Sequence, residues 1–317
     1  MKISGFSMVR NGVKLYYPVE PMVRSVLPLV DEFVIAIGRG DHDDTTREIV
    51  EGIDDPRIRI IDTVWDLDRY PRGMENAHQT DIAKNACTGD WLFYLQADEV
   101  VHENDLPVIR ARCEELQDRA EVDGLLFNYV HFWGDYDHYQ ISHGWYPNEI
   151  RVVRNDPDIH SWESAQSFRR IPDFDGVSYR RKEGTQKLRV AAVDARIHHY
   201  GWVRPPRLMR NKKRSLDAVH VDPSRPDPKD DMEPDWFDYG PLDRLPRFKG
   251  THPAVIKEMI SKMDWQDELQ MSGSPDPRRE PHKHERAKYR FLTWVEQRLL
   301  GGASVGRFEN YVLIKDA

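Results

Sequence analysis

The stretch GDWLFYLQADEVVHENDLP, residues 89–107, decides the fold. Five large side chains, Trp91, Leu92, Phe93, Tyr94 and Leu95, stand between Gly89-Asp90 and the polar run Gln96-Ala97-Asp98-Glu99. A short apolar run bounded in this way reads as a fully buried strand. Alternation along it puts Leu92, Tyr94, Gln96 and Asp98 on one face and Phe93, Leu95, Ala97 and Glu99 on the other. In open α/β sheets, ligands collect just beyond the carboxyl ends of such strands. Two carboxylates delivered there can hold a hard cation, act as acid or base, or simply mark the exit of the strand into water.

The flanking sequence repeats the rhythm. Residues 2–9 read as a strand ending at Arg10-Asn11-Gly12, and 32–37 as a second strand ending at Gly38. A polar loop, 40–48, then opens a helix, with Asp44 or Thr45 as N-cap. A strand at 57–61, a helix at 75–86, the opening strand, a helix capped by Asp105 and a strand at 124–133 follow. Strands separated by helices imply an α/β fold with a mostly parallel sheet flanked by helices. The second half is less regular: strand-like runs at 149–154 and 187–199, Pro-rich loops at 221–235 and 272–284, and a last helix near 285–300. That helix mixes Phe291, Leu292, Trp294, Val295, Leu299 and Leu300 with Arg and Lys. It is expected to dock on the main domain, with contact to an anionic membrane surface as the alternative.

Bulk properties narrow the field. With 317 residues, 39% hydrophobic and 32% charged, the chain can bury a real core. A net charge of -8 without a dense basic block argues against nucleic acid as partner. Two cysteines, Cys87 and Cys113, make no disulfide framework and suit a reducing compartment. The N-terminus carries no apolar core of signal-peptide length, and no run approaches the roughly 18 apolar residues of a membrane span. A cytoplasmic protein, at most peripheral to the inner face of the membrane, is expected.

Three polar clusters follow three strands: Arg10-Asn11, residues 41–46, and residues 96–99. Consecutive parallel strands expose their carboxyl ends on one edge, so these clusters can converge. The middle loop has neither the GxGxxG nor the GxxxxGK[ST] spacing of common phosphate-binding loops. A fourth cluster, ARIHHYGWVR at 195–204, follows a strand-like run. Parity puts His199 with Val193, Ala195 and Ile197, and His198 on the other face.

Residues 96–99, 40–46 and 199–202 together resemble family-2 glycosyltransferases of the GT-A fold, a Rossmann-like α/β class. The likeness covers about 1–204, and CTGDWLFYLQADEVVHE, IRVVRNDP and DARIHHYGWVRPP read much like segments of bacterial members. It implies a nucleotide-sugar-binding catalytic domain over 1–204 and a loop-rich, helical C-terminal extension over 205–317 packing on it. By the resemblance, Asp98 holds the second acidic position of a DxD motif and His199 completes a site for Mn²⁺ or Mg²⁺, bridging the nucleotide diphosphate. Gln96 stands where the motif has its first Asp. Asn11, Asp43 and Asp44 match loops around base and ribose, Gln79 and Asp81 the helix bordering the donor pocket, and Arg204 is a candidate for extra positive charge. An inverting member also needs a carboxylate base, for which Glu149 and Glu163 are the candidates. The implied partners are a nucleotide sugar and a glycan or lipid-linked acceptor, in cell-envelope polysaccharide synthesis. A non-catalytic nucleotide- or sugar-binding protein on the same scaffold is the alternative. A metal hydrolase is disfavoured, because no HExxH is present and His198 and His199 diverge.

Overall fold

The computed structural model describes residues 1–221, 236–306 and 308–315. The loop expected at 221–235 therefore lies, from 222 onward, outside the described residues. The strands are β1 Ile3–Val9, β2 Glu32–Gly38, β3 Ile58–Thr63, β4 Trp91–Tyr94, β5 Glu99–Val101, β6 Gly124–Trp133, β7 Tyr139–Gln140, β8 Asn148–Arg154, β9 Ile159–Trp162, β10 Ser167–Arg170, β11 Gln186–Trp202 and β12 Tyr311–Leu313. The helices are α1 Val19–Val26, α2 Thr46–Glu51, α3 Met74–Asn85, α4 Leu106–Glu115, α5 Pro206–His220, α6 Lys257–Ser261 and α7 Ala287–Arg298.

One sheet runs in the order β3-β2-β1-β4-β8-β6-β11-β10-β9. Its first four strands are parallel, as the helix-separated sequence requires. The rest corrects the expectation of a mostly parallel sheet. Strand β8 runs antiparallel to both β4 and β6, and β9 and β10 continue antiparallel from β11. The sheet is mixed. The physical reason is the connection between β6 and β8, which contains no helix to carry a parallel crossover, so the chain returns antiparallel. Two reversals across β8 restore the original direction. The carboxyl end of β11, parallel to β6, therefore faces the same edge as those of β1 and β4.

Alternation along the opening strand divides it between two cores. Trp91, Phe93 and Leu95 pack with α1 and α4, including Ile109, Cys113 and Leu116. Leu92 and Tyr94 pack on the other side with Phe6, Ala83, Ile159 and Phe168. A third core joins Val100, Phe132 and Tyr200 to Met209, Tyr239, Leu242, Ile256 and Trp265, so the C-terminal segment shares its apolar interior with the sheet. Helix α7 docks through buried Glu296, whose carboxylate accepts from His143 Nδ1 at 2.7 Å. It leaves Phe291 and Trp294 more than half exposed on its outer side, at 63% and 53%. Among the described residues no helix is long and apolar enough to cross a membrane.

Candidate active site

At the carboxyl edge lies a cleft of about 300 Å³ whose lining includes Arg10, Asn11, Trp65, residues 96–98, Tyr146, Gln166, His199, Lys212 and His220. Three of the four polar clusters meet there. Arg10 and Asn11 follow β1, and the Asn11 backbone adopts φ 54°, a left-handed conformation that asparagine tolerates. Asn11 Oδ1 accepts from the Asp41 backbone N–H at 2.8 Å, tying β1 to the loop after β2.

The segment after β4 does not continue as a strand. Glu99 N–H donates to Gln96 C=O at 3.0 Å, closing a turn, so Gln96, Ala97 and Asp98 all reach the cleft. Strict alternation thus ends at Leu95. Glu99 points inward, where its carboxylate takes a bidentate pair from Arg151, 2.7 Å from both Nε and Nη2. Tyr129 Oη donates to it at 2.7 Å and Gln96 N–H at 3.0 Å. The two carboxylates of the opening stretch have different tasks: Asp98 faces the cleft, and Glu99 holds the turn that presents it.

Asp98 Oδ2 lies 3.1 Å from Lys212 Nζ and 3.6 Å from His199 Nε2. Burial opposes ionisation of Asp98, but Lys212, His199 and Arg204 outweigh it and hold the carboxyl far below the usual range. Lys212 also donates to Gly201 C=O at 2.6 Å. Burial, reinforced by Arg204 and offset in part by Asp98, brings its ammonium down to about 8. Gly201 is required by close approach. A Cβ there would sit 2.5 Å from His199 Nε2 and 2.6 Å from Asp98 Oδ2, inside any tolerable contact.

His199 is oriented by His131. His131 is buried and its pKa is pushed well down by burial and by His199, so it is neutral. Its Nε2 lies 2.7 Å from the Tyr146 carbonyl, which can only accept, so Nε2 carries the proton. His131 Nδ1 then accepts from His199 Nδ1–H at 2.9 Å, which turns His199 Nε2 toward Asp98. His198 points instead into the third core, among Phe132, Phe248 and His102.

Several expected residues are not brought to the cleft. Gln79 donates to Glu75 at 2.6 Å, and Asp81 accepts from His160 Nδ1 and Ser161 N–H, each at 2.8 Å. Both are buried; Asp81 is satisfied within the protein, whereas Gln79 Oε1 has no hydrogen-bond partner among the described residues. Arg204 is fully buried behind the cleft, donating to the Leu15 and Gly201 carbonyls. Asp43 is exposed and pairs with Lys14 at 2.7 Å, while Asp44 accepts from Lys14 N–H and Thr46 Oγ1 beside a separate groove. Glu149 and Glu163 line a second cavity of about 620 Å³. Tyr146 and Gln166 line both cavities and so divide them. Burial raises the Glu149 carboxyl above the ordinary carboxylate value. Glu163 sits at φ 57°, a strained conformation for a residue with a side chain.

The sequence reading missed Lys212, His131, Tyr146 and His220. Lys212 carried a signal. Met209, Lys212, Leu216 and Val219 recur at helical spacing, so one lysine interrupts an otherwise apolar stripe of α5.

The donors at Asp98 do not fit a divalent-ion centre. Hard cations take several oxygen ligands, yet among the described residues Asp98 is the single carboxylate lining this cleft, and Glu99 is turned away to Arg151. Gln96, whose Nε2 donates to Ala165 C=O at 3.0 Å, offers only a neutral amide oxygen, a weaker ligand than a carboxylate. Among the described residues no group of three His, Cys, Asp or Glu side chains could hold a metal. The position beside Asp98 Oδ2 that a cation would take is held by the Lys212 ammonium.

Fold and site together define an α/β protein with a cleft at the carboxyl edge of its sheet. No protein-family model matches the chain, and no curated protein sequence does. Among solved structures it is similar to TarS of S. aureus, at 15% identity and TM-score 0.39 over 71% of this chain and 41% of that one. The chain thus spans less than half of that protein's length. It is also similar to TarS 1-349 in complex with UDP-GlcNAc, at 16% identity and TM-score 0.36, over 71% and 69% of the two chains. A Methanothermobacter nucleotidyl transferase aligns at 15% identity and TM-score 0.29, over 49% of this chain and 72% of its own.

Proposed function

We propose that the protein is a glycosyltransferase, moving a sugar from a nucleotide-sugar donor to a hydroxyl of a glycan or other acceptor. One observation carries this reading: two cavities share the wall formed by Tyr146 and Gln166. Among the described residues, the first is lined by two full cations, Arg10 and Lys212, against one carboxylate, Asp98, which suits a dianionic diphosphate. The second has three carboxylates among its described lining residues, Glu149, Glu163 and Glu309, beside Trp162, Phe308 and Tyr311, whose rings suit stacking on sugars. The family-2 motifs, 199–202 above all, point to the same chemistry.

In an inverting transfer the acceptor oxygen bonds to the anomeric carbon as the bond from that carbon to the diphosphate oxygen breaks. The electron pair leaves on the diphosphate, and the acceptor's proton passes to a carboxylate. Glu149 is favoured as that base, because its raised pKa brings it nearer neutral pH than an ordinary carboxylate.

Glu149→Gln is expected to spare donor affinity and slow transfer about 10²–10⁴-fold, the usual contribution of a general base. Glu163→Gln is the paired control, and product configuration read by NMR against that of the donor reports inversion. Full transfer by both variants would require another base. Failure of a panel of nucleotide sugars to bind or react would sink the proposal itself.

A further inference from the structure

We propose that the Lys212 ammonium, held by Asp98 and the Gly201 carbonyl, neutralises the donor's diphosphate in place of a divalent ion, so that the site works without metal. This rests on the reading of the cleft as a nucleotide-sugar site.

Three observations converge on it. Lys212 is buried yet lines the cleft, with Nζ fixed by two acceptors, 3.1 Å from Asp98 Oδ2 and 2.6 Å from Gly201 O. An ammonium has three donors, so the third is left for a ligand. The second carboxylate that a metal would need is committed elsewhere, since Glu99 is held by Arg151. Around Lys212, Arg10 lines the same cleft and brings a second cation to the same space.

The role is electrostatic. As the bond from the anomeric carbon to the diphosphate oxygen breaks, its electron pair adds negative charge to the diphosphate. A cation already oriented and desolvated stabilises that charge without reorganisation. Asp98 then acts as a positioning residue: it keeps Lys212 charged and aimed, and need not touch the phosphates. His131 and Gly201 serve the same end through His199 and through close packing.

The test is isothermal titration of the full chain with UDP, GDP, ADP and dTDP, in EDTA and again in Mn²⁺. The expected result is that one nucleoside diphosphate binds in EDTA, with affinity changed less than about threefold by Mn²⁺. Lys212→Met should weaken that binding by about tenfold or more, corresponding to roughly 1.4 kcal/mol, with no rescue by Mn²⁺ and partial recovery in Lys212→Arg. Binding that appears only with Mn²⁺, and survives in Lys212→Met, overturns the inference while leaving the nucleotide-sugar reading intact. No binding under either condition overturns the reading of the cleft, and the inference with it. Should Lys212→Met fail to fold, the comparison of EDTA with Mn²⁺ on the unsubstituted chain decides alone.

Discussion

Glu99→Gln is expected to lower the unfolding free energy by about 3–5 kcal/mol, the cost of leaving one member of a buried ion pair uncompensated. Both Glu99 and Arg151 side chains are completely buried. Every group that Glu99 meets is a donor: Arg151 Nε and Nη2, Tyr129 Oη and the Gln96 backbone N–H. A glutamine offers one oxygen to those donors and turns its own N–H groups against the rest. Arg151 cannot escape by losing its proton, because a guanidinium stays protonated in proteins. The damage should also reach the cleft, since Arg151 Nη1 donates to the Gln166 carbonyl at 3.1 Å. Urea denaturation followed by tryptophan fluorescence measures the loss. The double variant Glu99→Leu/Arg151→Met, which removes both charges, should be less destabilised than either single change. A single variant within 1 kcal/mol of wild type would show that the pair is not structural.

That result bears on what the sequence could disclose. The apolar run 91–95 and its alternation are local properties, and the structure divides those side chains between two cores as parity requires. The parallel strands β1 to β4 are likewise announced by the helices between them. What escaped were pairings decided at a distance. Nothing near Glu99 names Arg151, 52 positions away, so a carboxylate at a strand end looked expendable when it is the keystone of the turn. The antiparallel β8 escaped because its partners are chosen by a helix-free connection, not by its own composition. Lys212 escaped for the opposite reason. It stands in the run Asn211-Lys212-Lys213-Arg214, where a lysine ordinarily faces water, and only the helical stripe of Met209, Leu216 and Val219 marks it as inward. Asp81 and Gln79 were expected in the donor pocket from the position of α3, but position on a helix does not give a side chain's direction. Their partners, His160 and Glu75, give it.

Asp98→Asn is expected to cut transfer at neutral pH by about 10²–10³-fold, comparable to removing one preorganised electrostatic contact from an active site. The substitution is close to isosteric, and an asparagine oxygen can still accept from Lys212 Nζ, so the geometry at 3.1 Å should persist. What disappears is charge. The Lys212 pKa is already brought to about 8 by burial and by Arg204, with Asp98 opposing the fall. Without Asp98 it drops further, so less of the ammonium is present at neutral pH. The sign is definite: a group that must be protonated to work loses activity as pH rises through its pKa. Wild-type kcat/KM should therefore fall on the alkaline side near pH 8, and the same limb in Asp98→Asn should move to lower pH. The deficit of the variant should accordingly shrink as the assay is taken down toward pH 6. A metal ligand would behave differently: the loss would be relieved by raising Mn²⁺, and the alkaline limb would stay where it was. An unmoved alkaline limb would mean that Asp98 acts on something other than the charge of Lys212.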